Sequence, residues 1–396
     1  MVQLTIQDKY SRQYKAGFPH LFKDALVDVS PLTKEGMILD LVNRQGQFIA
    51  RGYYGKQNKG YGWVLTQNKE EAIDQTFFIK KISAALAKRK SLFDDPSTTA
   101  FRVFNGEGDG IGGLTIDYYA DYYLITWYSE GIYQFQSLVI NALEQSTSVK
   151  GIYEKKRFKQ GGKYIDDDDF VSGERAQFPL IIQENGANFA VDLNDGPMTG
   201  IFLDQRDVRR TIQNHYSNDK TVLNTFSYTG VFSVYATLGG ARKTTSVDLA
   251  NRSKEKTIEQ FAVNGLDPTQ HEIRVMDVFN YFDYAIKHEL AYDLVILDPP
   301  SFARSKKRTF SVQKDYVGLL KSAIQVTEDD GVIVASTNFS GFGMDKFKTM
   351  IHQAFKESNA RYQIVETFRL PEDFQYHKQF KEGNYLKVVF IKKIRS

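Results

Sequence analysis

Residues 221–240 read TVLNTFSYTGVFSVYATLGG: a short apolar run, a turn with one glycine, then an apolar stretch of helical length. A chain that forms a buried strand, turns, and enters a helix at once is the repeating unit of an alternating β/α fold. The texture continues through KTTSVDL (243–249), SKEKTIEQFAVNG (253–265), IRVMDV (273–278) and YDLVILDPP (292–300). The near-continuous apolar run YDLVILD is what a central parallel strand buried on both faces requires. A doubly wound sheet is expected, with its ligand at the carboxyl ends of the strands.

Those strand ends carry polar residues in a definite order. The first is followed by Asn224, Thr225, Phe226, Ser227, Tyr228, Thr229 and Gly230, leading into a helix N-terminus able to meet an anionic group. This turn is neither GxGxxG nor GxxxxGK[ST], and alone it reads equally well as a plain connection. The second strand ends at Asp248, 24 residues after Asn224, where a carboxylate can accept both hydroxyl hydrogens of a ribose. The third ends at Asp277 and Val278, a place to flank an adenine.

The fourth strand runs into Asp298, Pro299, Pro300, Ser301 and Phe302. Both prolines lack an N–H and fix φ, so the loop presents carbonyls that can accept from a base amino group. Phe302 can stack on a base, a contact of ~1–3 kcal/mol. Separately, DPP is a loop that ends a strand and Phe302 is a core ring. Together, four such strand ends point to a nucleoside-binding enzyme.

Working outward, the 396 residues carry 51 Lys+Arg against 48 Asp+Glu, a net +3, with 42% hydrophobic residues and no cysteine. The length suits two or three domains, and the composition excludes intrinsic disorder and fibrous repeats. Without cysteine there is no disulfide framework, no thiolate zinc site and no cysteine nucleophile. The six His show no metal-ligand spacing, so no metal is expected. The N-terminus MVQLTIQDKYSRQYKAG is polar, and no stretch approaches the ~20 apolar residues of a membrane span; a soluble cytoplasmic protein is expected.

Three domains are expected. Residues 1–68 alternate short β-like runs, including MILDLV (37–42) and QFIARGYY (47–54), with turns such as NRQG, and read as a small all-β module. Residues 69–192 open with a helical face from Lys69 to about Arg89 and continue as mixed α+β, with a helix over 134–144 and a strand pair near 180–191. Residues 193–396 hold the doubly wound sheet.

Several stretches resemble one family. TGIFLDQRDVRR (199–210), LNTFSYTGVFSVYATLGGA (223–241), VDLANRS (247–253), NGL (264–266), DLVILDPPSFARSKK (293–307) and STNFSGFGMD (336–345) look like the class I S-adenosylmethionine-dependent 23S rRNA methyltransferases. GEGDGIGGLTIDYY (106–119) is similar to that family's central domain, and the N-terminal module resembles its RNA-binding PUA domain. The resemblance spans essentially the whole chain. It implies S-adenosyl-L-methionine as cofactor, with Asn224, Phe226, Tyr228, Thr229 and Gly230 around its methionine part. It further implies Asp248 on the ribose, Asp277 and Val278 at the adenine, and Phe202, Asp204, Gln205 and Arg206 closing over it. Asp298, Pro299, Pro300 and Phe302 would face the target base, with Asn338 beside them; Asp298 also borders the cofactor. The implied partner is 23S rRNA or a large-subunit particle, with a homodimer by family analogy alone.

The family's 5-methylcytosine members carry a cysteine in the stretch corresponding to Ser336–Gly341, where this chain has Thr337, Asn338, Phe339 and Ser340. Carbon 5 of cytosine is a poor nucleophile until a thiolate adds at carbon 6. STNFSGFGMD looks closer to the branch that makes 7-methylguanine, whose N7 has an in-plane lone pair and needs only alignment. The PUA plus central-domain layout is better known from the cytosine branch, so the base stays open.

Basic residues interleaved with aromatics, Lys155, Lys156, Arg157 and Lys159 beside Tyr153 and Phe158, form one candidate RNA contact; Arg304, Lys306, Lys307 and Arg308 form another after the DPPSF loop. Such runs also occur as solvated surface. Lys88–Lys90 reads either way, and Asp166–Asp169 reads as a solvated turn. Four alternatives remain: a 5-methylcytosine rRNA methyltransferase working by a non-cysteine route, a non-catalytic RNA-binding assembly factor of the same fold, a nucleotide-dependent oxidoreductase, and a DNA adenine methyltransferase. The first-strand turn argues against the oxidoreductase and the N-terminal module against the DNA enzyme.

Overall fold

The structure, a computed structural model, describes residues 2–57, 60–160, 163–164, 168–304 and 309–395. Its described residues divide into two compact units, Met1–Ile182 with Asp192–Thr199 and Glu372–Gly383, and Gln183–Val191 with Gly200–Pro371 and Asn384–Ser396.

The first unit contains two five-stranded sheets. In one, Val2–Thr5, Ile38–Val42, Phe48–Gln57, Gly60–Thr66 and His20–Phe22 lie in that order, the first pair parallel and the others antiparallel. Alternating residues such as Leu39, Leu41 and Ile49 enter its core. One element was not expected in this module, the helix Asp8–Lys15. Only Tyr10 and Tyr14, four residues apart, turn to the core, too few apolar residues in the polar stretch DKYSRQYK to announce a helix.

The other sheet runs Phe170–Gly173, Gly151–Lys156, Tyr122–Trp127, Leu114–Tyr119, Ala100–Asn105 and mixes parallel with antiparallel pairs. Helices Gln75–Lys88 and Gln136–Ser146 bury Phe78, Ile82, Val139 and Leu143 in the same core as Phe101, Ile116 and Ile125. The first of these helices starts later than expected because Asp74 caps it, accepting from Phe77 N at 3.1 Å. Arg89, just past its end, is buried and gives Asp109 two hydrogen bonds of 2.8 and 2.7 Å. Gly108, Gly110 and Gly113 fall in a GxGxxG spacing, yet the run joins two antiparallel strands and opens no helix, so it is no dinucleotide loop.

The second unit is the doubly wound sheet. Its elements are β1 (Thr221–Thr225), α1 (Val231–Leu238), β2 (Lys243–Asp248), α2 (Ser253–Ala262), β3 (Glu272–Val275), α3 (Val278–Lys287), β4 (Tyr292–Leu297), α4 (Val312–Gln325), β5 (Thr327–Thr337), α5 (Met344–Glu357), β6 (Arg361–Phe368) and β7 (Lys387–Ile394). The order across the sheet is β3-β2-β1-β4-β5-β7-β6. Strands β1 to β5 run parallel and β7 runs antiparallel to both its neighbours. Successive residues feed opposite cores: Leu223, Val295 and Ile333 pack with α3, α4 and α5, whereas Val222, Leu294 and Val334 pack with Val208 and Phe232. Two covered faces explain why these strands read as continuous apolar runs.

Residues 183–191, from a hairpin assigned to the central domain by sequence, belong to this second unit. Gln260 on α2 explains the placement, since its side chain accepts from Ala190 N at 2.8 Å and donates to Ala190 O at 2.7 Å. Asn264 pairs with Asn188 in the same way, at 2.9 and 2.7 Å. No helix among the described residues is long and apolar enough to cross a membrane.

Candidate active site

The turn between β1 and α1 is built under strain. Phe226 and Tyr228 have φ of 54° and 52°, and Gly230 has φ 76° as it opens the helix. Left-handed backbone at two residues that carry a Cβ costs ~1–3 kcal/mol each and is held only where the surroundings insist. Here the surroundings are specific. Asp248 at the end of β2 accepts from Tyr228 N at 2.9 Å and, through its other oxygen, from Ala250 N at 2.9 Å. Each oxygen keeps a further lone pair for a hydroxyl donor. Residues Gly200–Arg206 lie on the turn: Gly200 N donates to Tyr228 Oη at 3.1 Å, Thr229 Oγ1 donates to Gly200 O at 2.6 Å, and the Phe202 and Tyr228 rings are 5.3 Å apart. Phe202 is nonetheless 45% exposed.

Asn224 is 1% exposed; its Nδ2 donates to Ser233 at 3.0 Å while its Oδ1 is buried with no hydrogen-bond partner. A buried acceptor left over beside a strained strand-to-helix turn fits a ligand that brings its own N–H, such as an amino acid ammonium. Asp277 caps α3, accepting from Phe279 N and Asn280 N at 3.0 and 3.3 Å. The Val278 side chain is in the core and Phe226 packs toward Phe279 and Phe310, so neither side chain is mainly a ligand-facing group.

Four connections link the loops around this turn. Gln205 Nε2 donates to Asp298 Oδ2 at 2.7 Å, and Tyr385 Oη donates to Asp204 Oδ2 at 2.9 Å. Lys387 Nζ donates to Phe339 O at 2.8 Å and also to Tyr385 O. Ser301 Oγ donates to Asn338 Oδ1 at 2.5 Å, which returns the path to the loop that holds Asp298. The segments 204–205, 385–387, 338–339 and 298–301 thus form a closed circuit. Burial raises the Asp298 carboxyl to about 6, with Asp204 adding to the rise and Ser336, Gln205 and Arg209 opposing it. Arg206 and Gln205 are buried, and Arg209 fixes the segment from below by donating to Phe202 O at 2.7 Å and to Glu184 at 2.7 and 2.8 Å.

In the DPPSF loop, Pro299 is buried, Pro300 is exposed and Phe302 is 61% exposed, so Phe302 is not a core ring. Tyr385, Lys387 and Arg209 were missed by sequence reasoning. Tyr385 and Lys387 come from the last strand and its approach, and no local motif ties them to residues 181 and 48 positions away.

The expected RNA contacts separate. Lys155 is a correction: it is 5% exposed and ion-paired with Asp169, because Gly151–Lys156 is an interior strand of its sheet with five consecutive residues buried. Lys156 is half-buried, paired with Glu154 at 3.3 Å and set over the Tyr133 ring. Arg157 and Arg304 are exposed. Asp168 and Asp169 are tied to Arg175 and Lys155 rather than simply solvated. Lys306, Lys307, Arg308, Asp166 and Asp167 lie outside the described residues.

The sequence matches the family model for S-adenosylmethionine-dependent methyltransferase over residues 101–380 and that for a PUA-like domain over residues 4–67. It is 61% identical to a Bacillus subtilis protein named "Putative ribosomal RNA large subunit methyltransferase YwbD", over 99% of this chain and 100% of the relative. The chain belongs to the S-adenosylmethionine-dependent ribosomal RNA large subunit methyltransferase family. A ribosomal RNA large subunit methyltransferase I from Aeromonas salmonicida is 31% identical over 94% of this chain and 95% of its own length. The crystal structure of SMU.776 complexed with SAH superposes with a TM-score of 0.92 at 39% identity, covering 99% and 100% of the two chains. The methyltransferase therefore uses S-adenosylmethionine, and its fold is the Rossmann-like sheet expected from the alternation, with a PUA-like domain before it.

Proposed function

We propose that this methyltransferase modifies a base of large-subunit ribosomal RNA by direct transfer to a ring or exocyclic nitrogen, N7 of guanine being favoured. The names of its relatives supply the RNA. The absence of cysteine from all 396 residues carries the nitrogen target. Carbon 5 of cytosine needs a thiolate adduct before it reacts, whereas N7 of guanine has its lone pair ready.

S-adenosylmethionine supplies a sulfonium-borne, electrophilic methyl group when bound. Everything else asked of the chain is positioning. Asn224 and the Phe226–Gly230 turn would hold the methionine part, Asp248 the ribose, and Asp277 with the Val278 backbone the adenine. Gly200–Arg206 would cover the cofactor. Phe302 would stack on the target base, with the Pro299 and Pro300 carbonyls receiving its amino hydrogens. Ser301 occupies Oδ1 of Asn338, which leaves Nδ2 as a donor suited to guanine O6. The N7 lone pair forms the new bond as the carbon–sulfur bond breaks, so no general base has to take a proton.

Residues 1–68 would serve as the RNA-binding module, 69–192 as the central domain and 193–396 as the catalytic domain. Arg157 and Arg304 would meet phosphates, and a homodimer rests on family analogy alone. The test is deletion of the gene in its native host, followed by nucleoside mass spectrometry and primer extension on 23S rRNA. Loss of one methylated guanine or adenine nitrogen is expected. Loss of a 5-methylcytosine would refute the nitrogen target, and no loss would favour a non-catalytic assembly role.

A further inference from the structure

Lys387 is a lysine in an unusual place. It is 1% exposed, it starts β7, and it lies opposite Thr337 at the end of β5. Its Nζ donates to Phe339 O at 2.8 Å and to Tyr385 O, and sits 5.5 Å from the centroid of Phe342. Phe339 and Phe342 are themselves 5.2 Å apart. A buried ammonium is costly unless its hydrogens are taken up, and an apolar residue would fill this strand position without that cost. What the charge contributes is a grip on one carbonyl and one aromatic face of the chain around Asn338, Phe339 O and the Phe342 ring, while Tyr385 O anchors the ammonium to the approach of its own strand.

We propose that Lys387 is a positioning residue for the target base: its ammonium holds the Asn338–Phe342 turn so that Asn338 meets the base in a fixed orientation. The inference rests on the methyltransferase reading above, and adds to it a residue outside every motif that suggested that reading. The turn itself offers only neutral groups, Asn338, Phe339, Ser340, Gly341 and Phe342. The end of β6 brings Arg369, and Tyr385 leads on to the Asp204 carboxylate. Burial, with Arg369 adding to it, lowers the Lys387 ammonium to about 8. The charged grip is therefore present at neutral pH and weakens as pH rises through 8.

The experiment has two readouts on the full-length protein. Amide hydrogen exchange across 338–342 in the wild type, corrected for the intrinsic pH dependence, is expected to speed up between pH 7 and 9. In Lys387→Met the same amides exchange fast at every pH, and in Lys387→Arg they stay protected to higher pH. Single-turnover methylation of the RNA identified by gene deletion is expected to fall about 10–100-fold in Lys387→Met, the scale of a misplaced reactant. Affinity for S-adenosylhomocysteine should be kept, and Lys387→Arg should restore part of the rate. Wild-type exchange that shows no step near pH 8, together with a Lys387→Met variant that methylates at the wild-type rate, overturns the proposal. If Lys387→Met fails to fold, the wild-type exchange profile and Lys387→Arg still decide it. Absence of any methylated RNA target with the exchange behaviour intact refutes the methylation reading instead.

Discussion

Gln205 and Asp298, 93 residues apart in sequence, are joined by a 2.7 Å hydrogen bond from Nε2 to Oδ2. One stands in the segment over the strained turn, the other at the end of β4. The bond therefore ties the proposed cofactor cover to the proposed base pocket, and it does so through a carboxyl whose proton affinity is raised to about 6.

That raised value fixes the sign of two pH effects. A carboxyl that titrates near 6 when folded and near 3.8 when unfolded gives stability that is full below the unfolded value and is lost as pH rises through about 6. Asp298→Asn should therefore melt higher than wild type at pH 8 and show a smaller advantage at pH 4, as read by calorimetry. Its methyl transfer should be lower than wild type at pH 8, with cofactor affinity roughly kept; transfer at the wild-type rate would remove Asp298 from the site.

Asp248→Ala is expected to weaken S-adenosylhomocysteine binding ~10–100-fold, from the loss of charge-assisted bonds of ~1.5–3 kcal/mol. It also deprives Tyr228 N and Ala250 N of their acceptor. Titration calorimetry checks the affinity; an unchanged value would contradict the ribose assignment.

Gly230→Ala should destabilise the fold by ~2–4 kcal/mol, combining left-handed strain with overpacking. The φ is 76°, and a Cβ would come within 2.5 Å of Thr257 Cγ2. Urea unfolding measures the loss.

The paired Arg89 and Asp109 side chains are both 1% exposed. Asp109→Ala leaves a buried guanidinium without its carboxylate, and should cost ~3–5 kcal/mol. The effect should appear as a lower urea midpoint.

The two basic clusters should respond differently to charge removal. Arg304→Ala is expected to lower RNA affinity and reduce the salt slope of binding by about one unit. Lys155→Met, whose ammonium is buried against Asp169, should leave that slope unchanged. Filter binding at several salt concentrations separates the two, and equal slopes would contradict the assignment.

The sheet was legible because its central strands β1, β4 and β5 are covered on both sides, and double coverage writes itself as apolar runs. Asp248, Asp277 and Asp298 were legible because each carboxylate stands at the end of a strand in the alternating pattern. What escaped notice followed other rules. The helix Asp8–Lys15 sets only Tyr10 and Tyr14 against the core, a face too short to be read in so polar a stretch. Lys155 looked like part of a basic patch because a count of charges does not show that its strand is buried on both faces and that Asp169 takes its charge. Tyr385 and Lys387 act through partners brought near by the sheet order, and spacing along the chain carries no trace of them; Arg209 acts through Phe202 O and through Glu184 on the 180–191 hairpin, a pairing no motif announces.

The closed circuit through Gln205–Asp298, Asp204–Tyr385, Lys387–Phe339 and Ser301–Asn338 has a consequence for how the protein tolerates change. A linear tether fails at its first severed link, but a closed one keeps every segment connected by the other way round. A single substitution misplaces the groups at the broken link without releasing the segments from one another. A second, on the opposite side, removes the remaining route and costs more than its own share. Sequence change around the mouth of this site is therefore constrained in pairs, by epistasis between residues that never touch.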